Sequence, residues 1–361
     1  MKIALISLGL FFPFVSFASS DDHIRLPIIQ NSSTRSISEL SAAIVPGTFQ
    51  QNIDHFGALG GDKFNQRYWV DSEFASGADA PVLFHICGEG DASEGYFLND
   101  NAIAWAKELG AHVVYLEHRY YGQSLPFSDL STDHLQYLTL GNVIEDLATF
   151  QKWMTTSQGW KGKWISVGGS YSGTLSALYR QKHPELVVGA LASSAPMISG
   201  VGEATGAQGD ADGYSSIDPS SDTGERQWIY QACTTFGFWM ADGPGIDATL
   251  EIPSPVLCQQ LFGNTALVNS SAYNQSYDAP FISSSAEAPS NILFTYGAED
   301  IWTTIGLSTQ TNANSAITIQ TINGAGHHFD LNLATDSDSV DVINARAEFM
   351  TLAKKWLYSV N

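Results

Sequence analysis

Cysteine is scarce, with three in 361 residues, which excludes a small scaffold whose disulfides replace a core. Basic residues are scarce as well: 16 Lys and Arg stand against 37 Asp and Glu, for a formal charge of -21. Nucleic acid is therefore excluded as a partner, because neutralising phosphates needs a basic surface. The acidity reads instead as solubility and tolerance of an acidic compartment. No HxH or HExxH spacing occurs, so neither a metal nor a cofactor is expected. Beyond residue 18 no apolar run is long enough to cross a bilayer. What the chain does have is 44% hydrophobic content over a length that exceeds one average core, which predicts a large domain carrying an inserted subdomain.

Lys2, an apolar stretch at 3–17 and small residues at Ser16 and Ala18 predict a secretory signal over 1–18. An uncleaved anchor is the rival, but the run is short and Pro13 interrupts it. A polar segment follows over 19–45. The expected location is secreted, periplasmic or lysosome-like, with no membrane contact after signal removal. In such a compartment Cys233 is expected to pair with Cys258, since both lie in a loop-rich region and close a short loop. Cys87, at the end of an apolar run, is expected to remain a buried free thiol. Asn31, Asn269 and Asn274 stand in N-x-Ser acceptor patterns. A second copy of the chain stays open as a partner.

Short apolar runs at 67–70, 81–86, 112–117, 164–167 and 187–191 read as strands, and 101–109, 140–154 and 172–183 as helices between them. Gly110 is a natural helix stop. Over 199–290 this rhythm gives way to polar loops and an aromatic cluster of Trp228, Tyr230, Phe236, Phe238 and Trp239. It returns over 291–361 with strands at 291–296 and 317–322 and a helix near 340–356. Alternating strands and helices predict a mostly parallel, doubly wound sheet. A lid at 199–290, inserted between 46–198 and 291–361, is the arrangement of the α/β-hydrolase fold.

Gly168-Gly169-Ser170-Tyr171-Ser172-Gly173 lies between a predicted strand and helix. A nucleophile elbow needs small neighbours because its tight turn crowds them while lifting the serine above the sheet. Ser172 is the rival nucleophile, but neither of its flanking stations, Ser170 and Thr174, is glycine. Serine needs a base, and the base needs an acid, in this fold in the order serine, acid, histidine. Asp300, after the strand at 291–296, is the candidate acid with Glu299 as rival. His327, after the strand at 317–322, is the candidate base beside His328. Backbone N–H groups for the oxyanion are expected from Tyr171 and from the loop carrying Gly88, Glu89 and Gly90; a plain turn is the duller reading of that loop. Glu89 or Asp91 would suit an amino terminus and Arg119 a carboxylate, although Arg119 reads more simply as a structural ion pair with Glu117 or another acid. Trp302 and Trp228 are candidate walls for a proline ring.

Together GGSYSG, EHRYYGQSLPF (117–127), GEGD (88–91), YGAEDIW (296–302) and GAGHHFDL (324–331) resemble the serine peptidase family that contains lysosomal Pro-X carboxypeptidase, dipeptidyl-peptidase II and thymus-specific serine protease. The resemblance implies a post-proline exopeptidase, of carboxypeptidase or dipeptidyl-peptidase type, with Ser170, Asp300 and His327 as its triad and proline-containing peptides as substrates. Ser172 stands where glycine is commoner in that family, Ile301 where proline is usual and Phe329 where leucine is usual. The lid also looks short, which puts specificity in more doubt than chemistry. An esterase or lipase of the same fold, or a non-catalytic binding protein built on it, are the competing readings.

Overall fold

The computed structural model describes residues 44–359 except 58, 60, 93–96, 98, 203–213, 221–223, 241–254 and 264–266; of 200–202, 238–240 and 255–256 it describes the backbone alone. The expected signal over 1–18, most of the polar segment and Asn31 lie outside the described residues. Ten strands are described: β1 (Ile44–Asn52), β2 (Lys63–Asp71), β3 (Val82–Ile86), β4 (His112–Leu116), β5 (Trp164–Gly169), β6 (Val187–Ser193), β7 (Gly200–Gly202), β8 (Phe238–Met240), β9 (Ile292–Gly297) and β10 (Ile317–Ile322). Eight form one sheet in the order β1-β2-β4-β3-β5-β6-β9-β10, and β7 pairs with β8 separately. β1–β2 and β2–β4 are antiparallel, while the other pairings in the large sheet are parallel. The helices that matter here are α1 (Ala102–Leu109), α2 (Leu140–Gln158), α3 (Tyr171–Lys182), α4 (Glu225–Gln231), α5 (Pro255–Phe262) and α6 (Val340–Tyr358). This is the mostly parallel, doubly wound sheet of the α/β-hydrolase fold.

Every residue of β3, β4, β5 and β9 is buried, because both faces of a mostly parallel sheet are covered and its strands are mainly apolar. Side chains alternate between two cores with the strand period of two. Val82, Phe84 and Ile86 pack with Phe150 of α2 and with Leu175 and Tyr179 of α3. Leu83 joins Trp105 of α1 and Phe349 and Trp356 of α6 on the other face. Truncating Phe84 to Ala would cost about 3–5 kcal/mol in transfer and cavity terms. α1 stops at Gly110, which takes the left-handed conformation at φ 63°. α2 starts on Thr139, whose side chain accepts from the Asn142 N–H, and ends at Gly159 at φ 66°.

β1 is a strand that the sequence pattern hid, and it begins inside the segment expected to be irregular. Pro46 and Gly47 break the strand signature, yet an edge strand tolerates proline, and a Cβ on Gly47 would sit 2.2 Å from the Tyr68 ring. Between β6 and β9, the π-helical turn Ala232–Phe236 that follows α4 is joined to α5 by the Cys233–Cys258 disulfide, with Cα atoms 5.8 Å apart. Ile229, Tyr230 and Phe262 there form a small core with Tyr120 and Leu130. No helix among the described residues is long and apolar enough to cross a membrane.

Candidate active site

Ser170 occupies the turn from β5 into α3 with φ 56° and ψ -134°, a strained backbone for a residue with a Cβ. Its N–H donates to the Ser193 carbonyl at 2.9 Å, tying the turn to β6. The crowding that demands small neighbours is measurable: a Cβ on Gly168 would lie 2.1 Å from the Ser172 carbonyl oxygen, and one on Gly173 2.8 Å from that of Ser193. Ser172 is buried, and its hydroxyl donates to the Gly169 carbonyl at 2.7 Å and accepts from the Gly169 N–H at 3.0 Å. That hydroxyl closes the elbow.

Asp300 follows β9 and caps a short 3-10 helix, Ile301–Ile305, accepting from the Trp302 N–H at 3.0 Å. Its other carboxylate oxygen lies 2.9 Å from His327 Nδ1. The Asp300 side chain is shielded from solvent, while 30% of the His327 side chain stays accessible, so the acid is fixed and the imidazole can be reached. Burial by itself would raise the Asp300 pKa. The hydrogen bond and charge of His327, with further bonds from Ser194 and the Trp302 N–H, outweigh it and hold the carboxyl below its usual range. Glu299, the rival acid, is exposed. Burial depresses His328 to about 4, aided by the neighbouring His327, which keeps it neutral.

Ser170 and His327 line one cavity of about 240 Å³, walled by Pro196, Trp228 and Trp302, with Glu89 and Glu225 also on its surface. A second cavity, of about 220 Å³, is lined by the loop Cys87–Ala92 together with Ser170 and His328. Within that loop the Gly90 N–H already donates to the Gly88 carbonyl at 3.0 Å and the Cys87 N–H to Leu116 at 3.1 Å. The Gly88 and Glu89 amides are left as the better-placed loop candidates. Asp91 pairs with Arg67. Arg119 is fully buried and paired with Asp146 at 2.6 Å, with its remaining N–H groups on the carbonyls of Asn52, Ile53 and Tyr137; it does not reach the cleft. Tyr230 and Phe236 are buried among other side chains, while the Phe238 and Trp239 side chains lie outside the described residues. Cys87 is free and buried, its thiol pushed well up by desolvation, which makes it a poor nucleophile.

A family model described as serine carboxypeptidase S28 matches residues 51–202 and 203–349. The chain belongs to the serine carboxypeptidase S28 family. Human lysosomal Pro-X carboxypeptidase is 43% identical over 156 residues, covering 41% of this chain and 31% of that protein. Mouse thymus-specific serine protease is 39% identical over 153 residues, covering 42% and 30%. This S28 chain thus matches about a third of the length of these curated relatives. An esterase from Mycobacterium marinum shares the fold with a TM-score of 0.50 at 13% identity, over 90% of this chain and 86% of that one.

Sequence reasoning missed the residues that hold the candidate site in place. Ser194, at φ 48°, accepts from the His328 N–H at 2.8 Å and bonds to Asp300, clamping acid loop and histidine loop together. Asp330 is buried, accepts from Ser193 and Thr295 at 2.5 and 2.8 Å, and has its backbone carbonyl held by Arg346. Burial pushes the Asp330 carboxyl up against those bonds. Its side-chain partners on β6 and β9 come from elsewhere in the chain, so nothing local marked Asp330.

Proposed function

We propose that this protein is a serine exopeptidase of a secreted or lysosome-like compartment that hydrolyses peptide bonds after proline. Ser170 Oγ attacks the scissile carbonyl while His327 takes its proton, and Asp300 holds the ring tautomer and stabilises the imidazolium. The N–H groups of Tyr171 and of Gly88 or Glu89 carry the oxyanion. The imidazolium then protonates the departing amine, and water hydrolyses the acyl-enzyme by the reverse proton path. The observation that carries this reading is one cavity lined by both Ser170 and His327, with His327 bonded at 2.9 Å to a shielded Asp300. Pro196, Trp228 and Trp302 offer flat apolar walls suited to a proline ring. The names of the relatives and the disulfide favour the same substrates and compartment.

The test is mass spectrometry of a peptide library after digestion, with fluorophosphonate labelling in parallel. Cuts after proline near one terminus and labelling of Ser170 are expected. Efficient turnover of short acyl esters with no peptide cleavage would replace the peptidase by an esterase.

A further inference from the structure

Resting on the acyl-transfer chemistry proposed above and not on its substrate, we infer that Gln231 of α4 is a positioning residue for the oxyanion. It fixes the Tyr171 side chain from behind, and with it the N–H that follows the nucleophile. Gln231 is the last residue of α4 and Tyr171 the first of α3. Gln231 Nε2 donates to the Tyr171 hydroxyl at 2.8 Å, while the Tyr121 hydroxyl donates to Gln231 Oε1 at 2.8 Å. On its other side the Tyr171 hydroxyl lies 3.2 Å from His118 Nε2. Tyr171, Gln231, Tyr121 and His118 are all buried.

Each bond in this chain has a fixed direction. His118 Nδ1 faces the Arg119 carbonyl at 2.7 Å, and a carbonyl only accepts, so Nδ1 carries the proton. Burial depresses His118 to about 4, so the ring is neutral and its Nε2 accepts. The Tyr171 phenol therefore accepts from Gln231 and donates to His118. A flipped Gln231 amide would compete with His118 for the one phenolic proton. Both ends of the chain are braced. Arg119 is held by Asp146 at 2.6 Å, and Gln231 runs directly into the turn Ala232–Phe236 whose Cys233 is bonded to Cys258. The Tyr171 ring packs on Phe236 and Trp228, with centroids 5.1 and 5.9 Å away, and Trp228 walls the cleft. Position matters here because Ser170, at φ 56° and ψ -134°, keeps a strained backbone only while its surroundings over-determine it. An oxyanion donor also works only within about 2.7–3.1 Å of the oxygen. Without Gln231 the Tyr171 hydroxyl keeps His118 alone, and the first turn of α3 is free to shift.

The experiment measures hydrolysis of Ala-Pro-para-nitroanilide and of para-nitrophenyl acetate by the full chain, with kcat counted per Ser170 labelled at the endpoint by a fluorophosphonate, so that unfolded molecules drop out. Gln231→Met keeps the length of the side chain but offers no N–H or carbonyl. It should lower kcat about tenfold on both substrates, as expected for a misaligned oxyanion donor, with a smaller change in KM. Tyr171→Phe should lose a similar factor, and the two together little more, since both remove the same bond. Gln231→Glu gives a readout that packing alone would not move. Protonated, its carboxyl offers an acceptor to Tyr121 and a donor to Tyr171, as the amide does; ionised, it only accepts and competes with His118 for the phenolic proton. The charges felt at that hydroxyl, Glu89 and Arg119, are common to parent and variant. Its kcat relative to the parent should therefore rise at least about threefold from about pH 8 to about pH 5. A Gln231→Met kcat within about twofold of the parent, additive losses in the double variant, or a flat Gln231→Glu ratio would overturn the inference while leaving the hydrolase intact. If Gln231→Met leaves no labelled Ser170, the pH dependence of Gln231→Glu decides alone. No labelling of the parent, or labelling without turnover of either substrate, would overturn the hydrolase reading and the inference with it.

Discussion

A serine hydroxyl is a weak nucleophile until a base removes its proton, so the proposed chemistry turns on a few atoms around Ser170. Ser170→Ala should abolish both fluorophosphonate labelling and turnover. Ser172→Ala loses the two bonds to the Gly169 peptide. It should lower stability by about 1–2 kcal/mol yet keep turnover within roughly tenfold; loss as complete as in Ser170→Ala would reopen the choice of nucleophile. The buried histidines make a second prediction. His118 and His328 are both depressed to about 4, chiefly by desolvation, against about 6.5 when unfolded. Between those values the unfolded chain binds more protons than the folded one, so their contribution to stability is complete above about pH 6.5 and is lost as pH falls toward 4. Glu89 and Asp330, with raised pKa values, act in the opposite sense. Thermal melts should therefore show Tm falling less between pH 6.5 and 4 in His118→Asn than in the parent; equal slopes would assign the loss to other groups. At this scale the triad candidates were legible because residue type, order and flanking glycines are local signals. Ser194 and Asp330 carried no such signal, since their roles are defined by partners distant in the chain, His328 for Ser194 and Ser193 and Thr295 for Asp330.

One step up, the loop after β3 is held from the end of β4. Glu117 is buried and accepts from Arg67 Nε at 2.9 Å, the Ala92 N–H at 3.1 Å, the Gln123 N–H at 3.1 Å and the Ser124 hydroxyl at 2.6 Å, besides a second contact from Arg67. The Ala92 bond anchors the far end of the loop that carries Gly88 and Glu89. Glu117→Ala should lower kcat at least tenfold with a smaller change in KM, because it loosens a proposed oxyanion donor more than a binding wall. It should also cost about 3 kcal/mol of stability by leaving polar partners unpaired. Steady-state kinetics beside denaturant melts check this, and a loss confined to stability would remove the positioning role. The central strands were readable because burial on both faces leaves a mainly apolar run, as in Val82–Ile86, where only His85 is polar. β1 was not, because an edge strand buries one face only and accepts Pro46. α2 runs four residues past its apolar pattern, to Gln158, since a helix continues until a cap such as Gly159 ends it.

The whole molecule carries a formal charge of -21, and so strong a field concentrates cations and repels anions near its surface. The kcat/KM for a dipeptide substrate with a free ammonium should fall roughly two- to fivefold between about 10 mM and about 0.5 M salt, while that for its acetylated form changes little. Stopped-assay rates over a salt series decide this, and parallel responses would make the field irrelevant to recognition. The amino-acid order alone determined the layered fold, the elbow and the three triad candidates, because apolar periodicity, glycine placement and chain order along a sheet are written locally. The tertiary structure decided which carboxylates face the cleft and which arginines are spent elsewhere. Burial and ion pairing are properties of groups brought together from distant positions: Arg119 has the same formula in the sequence and in the fold, and only packing against Asp146 takes its charge out of play.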